Sequence, residues 1–164
     1  VSIRAATSRG ELSERAVLRA FDVAEREACD VVSCSFVLRR ASRSLLDAVE
    51  RMRGAGRFIV GAAGRRTDPP SGFPERTPYC LAVAAVDRLG RPLAGARSGP
   101  WIDIAAPGEG LFVVTNSGRI YRGFGESSAA CALVSGIVAL MIAAARRKDA
   151  YSAVASVLLA EIAN

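Results

Sequence analysis

The stretch "GESSAACALVSGIVALMIAAARR" (Gly125–Arg147) decides the reading of this chain. A polar turn with two adjacent serines, Ser127 and Ser128, runs straight into an apolar segment of helical composition. The apolar part, Ala129 to Ala145, is about as long as the shortest membrane-spanning helices, roughly 17 residues. It is interrupted by Ser135 and Gly136, is rich in alanine and has no aromatic belt. A central helix buried in a protein core fits these features better than a membrane span. The two serines then have two readings, and both stay open on local sequence: a plain helix N-cap, or a nucleophile at a helix N-terminus.

Working upstream, strand-like and helix-like segments alternate. "VSIRAA" (1–6) reads as a strand. The next segment places Val17, Ala20, Phe21, Ala24 and Ala28 at helical spacing behind Ser13 as N-cap. "DVVSCSF" (30–36) is a short β-branched run, and 42–56 is a second helix with Leu45, Leu46, Val49 and Met52 inward. "RFIVGAA" (57–63) and "CLAVAAV" (80–86) are apolar strands on either side of a Gly-, Pro- and Arg-rich loop. Continuous apolar strands alternating with helices predict a parallel sheet covered on both faces. Between Asp87 and the serine turn, "WIDIAAPG", "GLFVVTN" and "GRIYRGF" are short extended pieces, and a last helix is expected at 149–162. No repeat or linker interrupts the pattern, so residues 1–164 read as one domain.

Composition narrows the function classes. At 51% hydrophobic, the 164 residues suffice for a real core, built from Ala, Val, Leu and Ile because aromatics make up only 6%. The net charge is +6, and Lys148 is the only lysine. The arginines are scattered, as Arg39/Arg40, Arg65/Arg66 and Arg146/Arg147, with no aromatic interleaving, so they do not make a nucleic-acid footprint. The four cysteines have no C-x-x-C spacing and no histidine to complete a zinc site; Cys34 and Cys131 read as small core residues. The chain opens without Met and without a signal peptide, as a processed chain, a single domain or a fragment would.

Taken in order, these pieces resemble the subtilisin family of serine peptidases along nearly the whole chain. The resemblance rests on "VGAAGR" (60–65), "FP" (73–74), "CLAVAAVD" (80–87), "IDIAAPGEGLFVVTNSGRIYRGF" (102–124) and "ESSAACALVSG" (126–136). It implies a three-layer α/β/α fold with a mostly parallel sheet, and it places the nucleophile at Ser128. Ser127 falls on the family's threonine, Glu126 on its glycine, and Gly64–Arg65 on its Gly-Asn oxyanion position. Ser35, Phe36 and Val37 match the strand end that binds extended peptide substrate. The resemblance also implies a cis Phe73–Pro74 bond. Family members often bind calcium, but no acidic ligand cluster is visible in this sequence, so a calcium site stays unassigned.

The departures from the family matter as much. Its catalytic Asp and His lie upstream of everything matched here, and this chain has no histidine at all. Arg65 replaces the oxyanion Asn, and Ala132–Leu133 replaces Pro-His. A serine hydroxyl is a poor nucleophile unless a base takes its proton, and imidazole suits that task. Glu126, two residues away at a helix start, is better placed to interact with backbone N–H groups. Two functions are therefore expected: an incomplete peptidase whose Asp and His come from an N-terminal segment or another chain, or a non-catalytic relative that binds peptides or a protein partner. In either case residues 1–6 should form an exposed sheet edge that pairs with further polypeptide, and the 125–147 helix should have an uncovered apolar side.

Overall fold

The computed structural model describes residues 1–68, 72–115 and 117–147. Helix α1 (Glu14–Arg26) begins where Ser13 accepts the Ala16 N–H, and α2 (Arg43–Gly54) where Ser42 accepts the Leu45 N–H. Strands β1 (Val31–Cys34), β2 (Phe58–Ala62), β3 (Cys80–Val86) and β4 (Ile104–Pro107) form one parallel sheet in the order β1-β2-β3-β4. An antiparallel hairpin, β5 (Leu111–Val114) and β6 (Ile120–Phe124), leads into α3 (Glu126–Arg147). The helix expected at 149–162 lies outside the described residues.

Alternation along the strands sorts the core into two layers. Ile59 and Cys80 point to one face of the sheet, where Val17 and Phe21 of α1 and Leu45, Val49 and Met52 of α2 cover them. Phe58, Val60, Ala62, Val83 and Ala85 point to the other, against Ala130, Cys131, Val134, Val138 and Ile142 of α3. The fold is thus α/β with helices on both faces of a parallel sheet, and every residue of β2 is buried. The Phe73–Pro74 bond is cis, and Phe73 is fully buried beside Phe21.

The expected first strand does not form. Residues 1–6 make only an isolated bridge, Ala6 with Leu12, so the sheet edge on this flank is β1 and not 1–6, β4 being the edge on the other flank. The reason is the ladder itself: a strand exists only where a neighbour satisfies its N–H and C=O groups. Here a groove of about 480 Å³ separates the segment from β1, with Val1, Ile3 and Ala5 on one side and Val31 and Val32 on the other. The expected uncovered side of α3 is present. Leu133, Ile137, Leu140 and Met141 are 40–72% exposed, although by length and hydropathy the helix could cross a membrane.

All four cysteines are free, and burial pushes the thiols of Cys34, Cys80 and Cys131 above their ordinary range. Only Cys29 is partly exposed. Because the thiolate is the reactive form, iodoacetamide at mildly alkaline pH should modify Cys29 in the native chain and leave the other three intact until denaturant is added. Mass spectrometry of the labelled peptides reads this directly, and fast native labelling of Cys34 would contradict the packing described.

Candidate active site

Three chain segments converge at the C-terminal ends of β1 and β2. The first is Ser35–Val37, which leaves β1; the second is the turn Gly64–Asp68, which leaves β2; the third is the start of α3. Ser35, Phe36, Val37, Gly64, Arg65, Glu126, Ser127 and Ser128, all singled out from the sequence, line one depression of about 130 Å³ together with Ala62 and Asp68. A larger open groove of about 610 Å³ adjoins it, lined by Leu93, Gly108, Tyr121, Phe124 and Ser128 among others. Arg65 and Glu126 line both, so they form the wall between them.

The two serines are in different environments. Ser127 is 5% exposed, and its Oγ accepts the Gly64 N–H at 2.9 Å, fastening the start of α3 to the end of β2. Ser128 is half-buried, and among the described residues its Oγ has no hydrogen-bond partner, whereas its carbonyl accepts the Ser35 hydroxyl at 3.0 Å. An α-helix leaves its first-turn N–H groups without intrahelical acceptors. Glu126 N–H finds one in Gly108 O at 2.5 Å. The remaining first-turn amides beside Ser128 suit an oxyanion or a carboxylate.

Backbone geometry explains the glycines around this turn and one exception. A Cβ on Gly125 would stand 2.5 Å from Gly108 O, and one on Gly108 would stand 2.7 Å from Glu126 O. The two backbones can therefore touch only as glycines. Glu126 itself sits at φ +67°, a left-handed conformation that suits glycine and is uncommon for a side-chain-bearing residue. Its carboxylate meets Arg65 Nε at 2.5 Å, with both side chains more than half exposed.

Sequence reasoning missed two residues that shape the turn. Asp68 Oδ2 accepts the Arg65 N–H at 2.6 Å. Arg97, almost fully buried, donates to Arg65 O at 2.7 Å and Asp68 O at 2.8 Å, and its guanidinium lies 4.0 Å from Glu75. The Asp three residues after Arg65 is a turn signal that could have been read; nothing local marks Arg97. Among the described residues, no group of three or more Cys, Asp or Glu side chains is placed to hold a metal ion.

The contrast between the serines is measurable. Ser127→Ala should destabilise the chain by about 1–3 kcal/mol, because it leaves the Gly64 N–H without its acceptor. Ser128→Ala should stay within about 0.5 kcal/mol of the parent. Urea unfolding of both variants checks this; equal losses would mean that the Ser128 hydroxyl is also structural.

Comparison with known proteins agrees with the α/β fold. The subtilase family model matches residues 1–161. The thermostable alkaline protease of Halalkalibacterium halodurans is 34% identical over 68% of this chain and 30% of its own length. Alkaline elastase YaB of Bacillus sp. (strain YaB) is 27% identical over 86% of this chain and 36% of its own. The chain thus spans about a third of the length of these two relatives. A solved structure of the prenylagaramide maturation protease PagA superposes with a TM-score of 0.78 over 91% of this chain and 56% of that one, at 24% identity, which supports the fold alone. On the family match and the shared fold, the chain belongs to the subtilase family.

Proposed function

We propose that this chain is the part of a subtilisin-like serine peptidase that carries the nucleophile and the peptide-binding groove, and that the imidazole and its carboxylate partner come from polypeptide outside these 164 residues. The observation that carries this reading is Ser128: half-buried, its Oγ unpartnered among the described residues, at the start of α3 and between two depressions. In this role Ser128 Oγ attacks a peptide carbonyl while the external base takes its proton. First-turn amides of α3 then hold the oxyanion, and Arg65 stands where a side-chain donor is expected. Loss of one such donor costs about 10²–10³ in rate, so the reach of Arg65 sets how much of it is recovered. The 164 residues include no histidine to serve as that base. Glu126 faces Arg65 and is engaged by it.

The supplying polypeptide would enter through the groove between residues 1–6 and β1. There an extended segment could add to the free edge of the sheet and bury the apolar side chains on both banks. Relatives two to three times longer have the chain length for this.

A second reading, a non-catalytic peptide binder, draws on one specific observation. Arg65 and Glu126 pair with one another, and both line the smaller depression together with Ser128. Such a site could hold a peptide without cutting it.

A fluorophosphonate probe separates base-supplied from base-free chemistry. The purified 164-residue chain should remain unlabelled at Ser128 and should not hydrolyse casein; stoichiometric labelling would show that a base within the chain has been recruited. Hydrogen exchange tests the edge: amides of Val31–Cys34 that point away from β2 should exchange well ahead of those of β2. Protection equal to that of β2 would mean that the edge is already covered.

A further inference from the structure

We infer that Asp68 makes the smaller depression beside Ser128 a receptor for one basic side chain, lysine or arginine, of a bound peptide. The inference rests on the groove reading above and gives it a substrate class.

Size comes first. At about 130 Å³ the depression is well under the roughly 300–1,000 Å³ of drug-sized pockets, so it takes a single side chain. Its walls are unlike one another. Phe36, Val37 and Ala62 offer apolar surface along which an aliphatic stem can lie, and Asp68 supplies a carboxylate. A long stem with a cationic tip suits such a wall, because lysine and arginine bury their methylenes and keep the charged head with a polar partner.

Charge decides the sign. Besides Asp68, and apart from Arg66, which is exposed and outside the lining, four titratable side chains surround the turn among the described residues, and they pair among themselves. Arg65 faces Glu126 at 2.5 Å, and Arg97 faces Glu75 at 4.0 Å. Asp68 is half-buried, and among the described residues it is in no ion pair; its Oδ2 accepts only the Arg65 backbone N–H. That leaves one carboxylate uncompensated by a cation in the lining. Its position is fixed, not incidental. Arg97 holds both ends of the turn, and Gly64 lets the carboxylate approach, since a Cβ there would stand 2.9 Å from Asp68 Oδ2. Glu126 is the weaker candidate, because its carboxylate already has Arg65 and both are more than half exposed.

The test is an NMR titration of the ¹⁵N-labelled 164-residue chain with acetyl-Ala-Ala-Pro-Xaa-amide, where Xaa is arginine, lysine, citrulline, norleucine or glutamate. Citrulline keeps the shape of arginine without its charge. The arginine and lysine peptides should bind about tenfold more tightly than the citrulline peptide, as a charge-assisted contact requires, with shifts at Val37, Gly64 and Asp68. Asp68→Asn keeps an acceptor for the Arg65 N–H and should bring the arginine-to-citrulline ratio close to one. The parent ratio decides the matter even if the Asp68 variant does not fold. Binding that ignores charge overturns the inference and leaves the groove reading standing. A preference for glutamate overturns it in favour of Arg65 as the anchor, and a ratio unchanged in Asp68→Asn overturns the assignment to Asp68. No shift with any peptide overturns the inference and the groove reading together.

Discussion

The hydrogen bond from Gly64 N–H to Ser127 Oγ fixes the distance between the end of β2 and the start of α3, and the arrangement of the site depends on it. The bond is buried on the serine side, so leaving it unmade would cost the desolvation of both groups. Around it the chain is pressed close: Gly108 and Gly125 touch backbone to backbone, and Glu126 is held at a positive φ. Conformations of that kind persist only where the surroundings over-determine them. With Ser127 committed to structure, Ser128 is the serine left with a hydroxyl available for chemistry.

Electrostatics divide the site in a similar way. The buried Arg97 works through backbone carbonyls, tying the turn that carries Arg65 and Asp68 to the rest of the chain. The Arg65–Glu126 pair is exposed, and exposed pairs are worth about 0–1 kcal/mol. That wall between the two depressions is therefore easily parted by a ligand, whereas the turn held by Arg97 is not. A rigid binding surface with a movable partition suits peptide recognition whether or not cleavage follows.

Two apolar surfaces of the fold stay uncovered among the described residues. The β1 edge of the sheet is open beside an apolar groove, and α3 leaves Leu133, Ile137, Leu140 and Met141 exposed along its length. Full burial of one such side chain is worth about 1.5–3 kcal/mol. Polypeptide covering these residues would therefore gain substantially in stability.

Much of the architecture was legible in the sequence because it depends on near neighbours. Helical spacing marks α1 and α2, with Ser13 as a legible cap, and apolar runs bounded by polar turns mark β1, β2 and β3. The family's motif order aligns Phe73–Pro74 with a cis bond and groups Ser35–Val37, Gly64–Arg65 and Glu126–Ser128. Residues 1–6 have the composition of a strand but no neighbour to pair with, and strand formation is a property of pairs. Asp68 and Arg97 entered the site only through the fold, since residues 29 positions apart meet there by way of long-range packing. The sequence by itself determined which elements form and that no imidazole is present in the chain. The tertiary structure decided which serine is structural, which edge is open and which carboxylate is left without a cation, because each depends on which groups are brought together in space.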